Sequence, residues 1–523
     1  MYFYLSFLRP PPKAVSLAQG SVTITPQIAN DLRTELKEDE PTDIYYTWQH
    51  LASPASSSLS YSIAPIKLTT YNPPRNTYKP LTIPLPAQAK PSQTWRLGLF
   101  SPPAKGVIGN LNTLNEHVCG VWSDGIAILP SNAGKSDGAK QTRVFREWQL
   151  PSTEKNRSGQ RGSKRDARGR TVNVDDDSQK TGVSSETLKV VEQTSFDLDK
   201  KIWDSGLALS AWLQQHLQHE TQPTVSASNP SKNTNHSCPL IDAYLNCLTT
   251  VPFSSARDGN DKGRRTIRAL ELGAGTGLVS FALASAVRRR WRDQGGCADE
   301  DDDEIDCGRP ARYDIYATDL ESALPLIDEN AALNSHLWGR SPARLDEFAT
   351  EEREFSEPQT SGADARDAMA GSHTMAGAEP SIKVHSAVLD WEDDLPPWVH
   401  RDPQGDEVQI DVVIAADVTY NTASFPHLIK TLTSLLGPTS RTHKPDASDP
   451  DQEMSSSRSP LLLLAYKERD ASERELWEMA RENGIWMEMV DVIRGHEASP
   501  TFEGDEAVAG ATEIWIGGMS ERP

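Results

Sequence analysis

Long apolar runs are missing from this sequence. The opening stretch, MYFYLSFL, stays apolar for only eight residues, carries no basic flank and runs into Pro10-Pro11-Pro12. A membrane span needs about 20 apolar residues and a secretory signal needs a basic start. The opening therefore reads as a buried first strand, and the chain as a soluble protein with no membrane partner. Cysteine is scarce. Cys119, Cys238, Cys247, Cys297 and Cys307 are five in number, with no CxxC pair. That spacing suits neither a disulfide framework nor a zinc site and favours a reducing compartment, cytoplasmic or nuclear. No Ser-His-Asp arrangement is recognisable, His336, His385 and His427 fit surface or helix positions, and no metal is assigned. Positive charge is also in deficit. The 53 Lys and Arg stand against 74 Asp and Glu, a net charge of -21. Direct nucleic-acid binding by the whole protein needs a basic field and is disfavoured. Part of the acidity is local, since 299–306 reads DEDDDEID, a solvated loop; a basic protein tail is tolerated as a partner but not demanded.

What is present is unevenly spread. Hydrophobic residues make up 37% of the 523, and the 36 Pro and 33 Gly cluster where no periodic pattern survives. One core of about 250 residues, a smaller N-terminal piece and long disordered insertions are expected. Residues 1–130 mix Pro-rich stretches with alternating runs such as Ile66-Lys-Leu-Thr-Thr-Tyr71, which read as strands of a β-rich accessory region. Gly120 to Leu129 suggests a hairpin turning at Asp124-Gly125. Residues 131–185 are polar and low in complexity. Within them, Glu154 to Arg170 holds seven basic residues against two acidic ones. That is the composition of an import signal or a weak nucleic-acid contact, and equally of a solvated linker.

From 186 onward strands and helices alternate. Strand-like runs at Thr266–Leu272, Tyr313–Thr318, Ile382–Leu389, Gln409–Ala416 and Leu461–Tyr466 are spaced by helix-like stretches, which predicts βαβ units and a parallel sheet. Trp486–Ile493 and Glu513–Ile516 have no helix between them, so they should pair antiparallel and reverse a strand at one edge. Polar stretches near 292–311, 340–380 and 437–460 fall between elements and read as disordered loops within a domain covering 186–523.

The chemistry starts at Glu271-Leu-Gly-Ala-Gly-Thr-Gly277, between a strand and a helix. Alternating glycines let the backbone turn sharply and approach a ligand, and the helix offers N–H groups to something negative. A dinucleotide fingerprint is G-x-G-x-x-G, but position 278 is Leu, so the third glycine arrives one residue early. A plain tight turn is the bland alternative. Asp319 ends the next strand, where a carboxylate can accept both hydroxyls of a ribose; it could equally cap a helix.

The E-L-G-A-G-T-G loop, the A-T-D-L strand end and the terminal antiparallel pair resemble the seven-β-strand S-adenosylmethionine-dependent methyltransferases. Four further segments are similar to the lysine-methyltransferase-like family 16: Ile202-Trp-Asp-Ser-Gly206, Asp328-Glu-Asn-Ala-Ala-Leu-Asn334, Val388-Leu-Asp-Trp391 and Asp417-Val-Thr-Tyr420. The long N-terminal extension resembles the methyltransferase-like protein 22 branch. The resemblance implies an α/β, Rossmann-like sheet with a reversed edge strand, S-adenosylmethionine as cofactor, and a lysine of a protein substrate as acceptor. It implies that Gly273, Gly275 and Gly277 pass the methionine part of the cofactor, with Glu271 fixing its amino group. Asp319 would hold the ribose, Asp390 and Trp391 would flank the adenine, and Trp203 would close over the cofactor. Asp417 would orient the arriving ammonium and Tyr420 would wall its channel; the alternative is that Asp417 caps the next helix and Tyr420 packs. Competing readings are a histidine or small-amine methyltransferase, a non-catalytic binding or assembly protein on the same fold, and an NAD-dependent oxidoreductase, which the glycine spacing disfavours.

Overall fold

The computed structural model describes residues 1–52, 61–133, 139–150, 186–194, 197–217, 238–249, 266–293, 312–339, 343–344, 381–401, 408–437, 459–496 and 510–519. The basic run 154–170, the acidic run 299–306, Cys297, Cys307 and most of the three expected insertions lie outside those residues.

Seven strands build the sheet that positions the site: β1 (Thr266–Leu272), β2 (Arg312–Asp319), β3 (Ser381–Val388), β4 (Val412–Ala416), β5 (Leu461–Tyr466), β6 (Trp486–Ile493) and β7 (Thr512–Gly518). Their order is β3-β2-β1-β4-β5-β7-β6, and a two-residue strand, Ala343–Arg344, lies outside β3. Strands β1 to β5 pair in parallel, whereas β7 runs antiparallel to both β5 and β6. The reversed strand is therefore one place in from the edge, because β6 follows β5 through a helix and β7 then returns between them. This is a Rossmann-like α/β fold. All six residues of β5 are buried, as a strand covered on both faces requires.

Side chains alternate between the two faces. Ile267 and Ala269 of β1 join the core made with α1 (Asp204–His216), α2 (Pro239–Thr249), α3 (Leu278–Asp293) and α4 (Leu324–Asn334). Leu270 and Leu272 join the opposite core, made with α5 (Phe425–Leu436) and α6 (Glu475–Glu482). The strand order reverses at β1, between β2 and β4. Open α/β sheets bind their ligands at such a point, in the crevice beyond the carboxyl ends of the strands.

The N-terminal part is all β among the described residues apart from a 3-10 turn at Leu111–Glu116, with Tyr4–Arg9 as its first strand. The expected hairpin at Asp124-Gly125 does not form. Val121–Ser123 and Ile126–Leu129 both pair antiparallel with Thr94–Phe100, so they are one kinked strand rather than two partners. Side chains replace ladder bonds at the kink: Ser123 Oγ accepts from Leu97 N at 2.9 Å, and Gln141 Oε1 accepts from Asp124 N at 3.0 Å. Those partners lie far along the chain, so the local D-G signal misled.

Strand Thr187–Gln193 pairs with Arg143–Gln149 and ends this sheet. Its other edge meets helix α4 instead of a strand. Asn334 Oδ1 accepts from Lys189 N at 2.8 Å and Asn334 Nδ2 donates to Lys189 O at 2.6 Å. Asn330 repeats the pattern on Val191 N and O at 2.7 and 3.2 Å. Two amides spaced i, i+4 on one helix face thus stand in for a strand. Tyr2, Tyr4, Trp148, Leu188 and Val190 share a continuous core with α1 and α3. Cys119 and Cys247 are buried and Cys238 is partly buried. No helix among the described residues is long and apolar enough to cross a membrane.

Candidate functional site

The glycine loop joins β1 to α3 at the crevice, and its conformation demands glycine. Gly273, Gly275 and Gly277 have φ of 63°, 55° and 78°, a region that L side chains enter at a cost. A Cβ on Gly277 would lie 2.5 Å from Phe281 Cζ. One on Gly275 would lie 3.5 Å from Asp199 O, so the 3-10 turn Leu198–Lys200 passes over the loop.

Asp319 ends β2 and is tied to this loop. Its Oδ2 accepts from Gly275 N and its Oδ1 from Leu320 N, both at 2.7 Å. It does not cap α4, which begins at Leu324. Burial raises its pKa, partly offset by those two N–H groups. Each carboxylate oxygen keeps a further lone pair for a hydroxyl. Leu389 N donates to Asp319 O at 3.0 Å, which brings the end of β3 alongside. Asp390 follows, accepting from Glu392 N at 3.0 Å in a tight turn. The Trp391 ring then lies against the loop, with Cζ2 3.5 Å from where a Gly273 Cβ would be.

Glu271 is turned into the protein. It is 2% exposed, and its Oε2 accepts from Ser280 N at 2.9 Å and from the Ser280 hydroxyl, in the first turn of α3. Burial pushes its carboxyl up to about 8 against those bonds. A carboxyl held protonated in the folded chain destabilises as pH rises, because the unfolded chain gives up its proton first. Stability should therefore fall between the ordinary value of 4.5 and about 8, by about 1.4 kcal/mol per pH unit from this group. Urea denaturation of the ligand-free protein from pH 5 to 8 should show a slope that flattens in Glu271→Gln. An unchanged slope in the variant would assign the effect elsewhere.

Across the crevice, Asp417 follows β4 with φ 60° and is 9% exposed. Its carboxylate is held from two sides. Arg469 grips it with both terminal nitrogens, Nη1 on Oδ1 and Nη2 on Oδ2, the latter at 2.9 Å. Ser205 Oγ donates to Oδ1 at 3.0 Å. Asp417 does not cap a helix; Asn421 does, accepting from Ala423 N at 3.2 Å. Tyr420 is 58% exposed rather than packed. Burial of part of it and then the charges of Asp319 and Asp199 raise its phenol, so it stays a donor at neutral pH. Val418 Cγ1 would touch a Gly273 Cβ at 3.2 Å, which places the D-V-T-Y segment beside the loop. Trp203 precedes α1, donates Nε1–H to Leu198 O at 2.9 Å and lies against Arg469, whose Cζ is 5.2 Å from the ring centroid.

The glycine loop, Asp319, Trp391 and the D-V-T-Y segment thus lie together at the carboxyl ends of the strands, while Glu271 turns away from them towards Ser280. Asp199, Ser205, Arg469 and Asn330 were not among the site residues expected from the sequence. Asn330 Nδ2 donates to Thr276 O at 3.0 Å, steadying the glycine loop from α4. It lies in the D-E-N-A-A-L-N segment already singled out, so a signal existed for it. His385 is a correction: it lies in β3, 5% exposed, with Nε2 3.1 Å from Asp314 Oδ1, stacked on Tyr316. Asp314 faces it from the neighbouring strand. Among the described residues no group of three His, Cys, Asp or Glu side chains is placed to hold a metal.

A glycine loop and a strand-end carboxylate at the switch point are the elements with which open α/β sheets hold nucleoside-bearing ligands. Residues 183–344 and 360–443 match the model of the lysine methyltransferase family. No curated protein matches the chain. Solved structures that resemble it are methyltransferases at low identity. The CurJ carbon methyltransferase is 15% identical, with 50% of each chain covered and a TM-score of 0.23. The precorrin-6y C5,15-methyltransferase of Geobacter metallireducens is 10% identical, over 56% of this chain and 94% of that one, with a TM-score of 0.21. Superpositions of that quality carry no argument about the site.

Proposed function

We propose that the protein is an S-adenosylmethionine-dependent N-methyltransferase acting on a lysine side chain of a protein substrate. The observation that carries this is the Asp319 carboxylate bound to Gly275 N, facing the D-V-T-Y segment across the glycine loop. Gly273, Gly275 and Gly277 leave room for the methionine part of the cofactor, Glu271 lies beneath its amino group, and Asp319 takes the ribose hydroxyls. Asp390 and Trp391 flank the adenine, by hydrogen bond and by ring contact, and Trp203 closes the cleft from the α1 side. When bound, S-adenosylmethionine supplies a methyl group on a sulfonium, open to in-line attack.

The protein's part is alignment and the removal of water. A lysine ammonium has a pKa of about 10.4 and must lose a proton before it attacks. Asp417, pinned by Arg469 and Ser205, offers a fixed partial negative charge that orients the amine without moving towards it. Tyr420 lines the exposed side, where its ring suits a cationic amine and water can carry off the proton.

The test is to incubate the full chain with methyl-labelled S-adenosylmethionine and a lysate of its own cells, then locate the label by mass spectrometry. Label on lysine, lost in Asp417→Ala, is expected. Tyr420→Ala should lower the rate by about 10- to 100-fold and Tyr420→Phe by less, if the ring rather than the hydroxyl matters most. Label on histidine or a small amine would change the acceptor. No cofactor binding at all would leave a non-catalytic assembly protein.

A further inference from the structure

Asp31 belongs to the N-terminal β region, 438 residues before Arg469, yet its carboxylate reaches the arginine that holds Asp417. The side chain is fully buried and takes four donors. Oδ2 accepts from Arg469 Nη2 at 2.9 Å and from Asp204 N, at the start of α1, at 3.2 Å. Oδ1 accepts from Leu32 N at 2.9 Å and from Lys467 Nζ at 3.4 Å. Burial opposes its charge, but Lys467 and then Arg469 outweigh that and lower its pKa, so it is an anion. Arg469 Nη2 is shared between Asp31 and Asp417, and Nε finds no acceptor among the described residues. Nη1 also donates to Lys467 O at 3.4 Å, a long bond, so the guanidinium takes its direction chiefly from these two carboxylates, with the Trp203 ring beside it.

We infer that Asp31 is a positioning residue for methyl transfer: it holds Arg469 so that Arg469 fixes Asp417, and the N-terminal β region thereby completes the site. This rests on the role given above to Asp417. An arginine held by one carboxylate can pivot about it, whereas one clamped between two cannot. Without Asp31, the Asp417 carboxylate keeps its charge partner but loses its fixed angle. Asp31 touches no part of the cofactor cradle formed by the glycine loop and Asp319, so cofactor affinity is not its business.

The test uses the full chain, methyl-labelled S-adenosylmethionine, and lysate protein as acceptor. Asp31→Asn should cut the maximal labelling rate by about 100-fold, with the cofactor dissociation constant, read by calorimetry, within about threefold. Asp31→Glu should recover part of the rate, and Asp43→Asn, a half-buried acid of the same region paired with Lys67, should leave the rate unchanged. Arg469→Lys keeps the charge but not the two-way grip and should match Asp31→Asn; the double variant should be no worse than either single one, as coupled residues behave. If Asp31→Asn fails to fold, the Arg469→Lys comparison of rate against cofactor affinity decides. A full labelling rate in a folded Asp31→Asn or in Arg469→Lys overturns the inference alone. A wild-type chain that binds no cofactor or transfers no label overturns the proposed function as well, which separates the two failures.

Discussion

Gly277→Ala should cost the methyltransferase domain roughly 4 kcal/mol of stability and lower its melting temperature by about 10 °C. Two penalties act together. Position 277 has φ +78°, which a Cβ strains, and the new methyl would sit 2.5 Å from Phe281 Cζ. Phe281 cannot step aside. Its ring is fully buried on α3 and stacks on Trp338 at a centroid distance of 5.6 Å. Gly275→Ala separates the two causes. Its φ of +55° carries similar strain, but the nearest atom, Asp199 O, is 3.5 Å from the added Cβ. That variant should lose only about 1–2 kcal/mol. Thermal melts of both variants would check this, and equal losses would remove the collision as the cause.

Asp319→Ala should weaken S-adenosylmethionine binding by at least roughly 100-fold while leaving the melting temperature nearly unchanged. Two hydrogen bonds from ribose hydroxyls to a charged acceptor are worth about 1.5–3 kcal/mol each, and each 1.4 kcal/mol is about tenfold in affinity. Stability responds differently. Burial raises the Asp319 pKa, so the ionised side chain burdens the ligand-free fold, and its removal relieves that burden. Against this, Gly275 N and Leu320 N lose their acceptor. The two effects oppose each other. Asp319→Asn, which keeps an acceptor oxygen but not the charge, should fall between. Calorimetric titration of the three proteins provides the check; equal affinities would remove Asp319 from the ribose.

The sheet was legible in the sequence because buried parallel strands are apolar throughout and their helices are spaced by clear breaks. Leu461–Tyr466 and Val412–Ala416 announce themselves in this way. The return of β7 between β5 and β6 was foreseen only as a reversal, since strand order is a long-range choice that local pattern does not encode. The kinked strand at Asp124-Gly125 was misread for the same reason: Gln141 and Leu97 decide it, and neither is a neighbour in sequence. At the site, the glycine loop, Asp319 and the D-V-T-Y segment could be found because each is a short contiguous signal. Arg469 could not, being 52 residues beyond Asp417 in a stretch with no motif. Asp31 was further still from recognition. Buried ion clusters join residues that share only a place in space.

The asparagine pair on α4 has a consequence for assembly. The strand Thr187–Gln193 would otherwise present a row of open N–H and C=O groups at the end of its sheet, the kind of border onto which another chain can add a strand. Asn330 and Asn334 occupy that border at Val191 and Lys189. The sheet is sealed on that side by a helix of its own chain, so neither an extended substrate peptide nor a second copy can dock there by strand addition without first prising α4 away. Because Asn330 also holds Thr276 O, such an intruder would loosen the glycine loop as it entered.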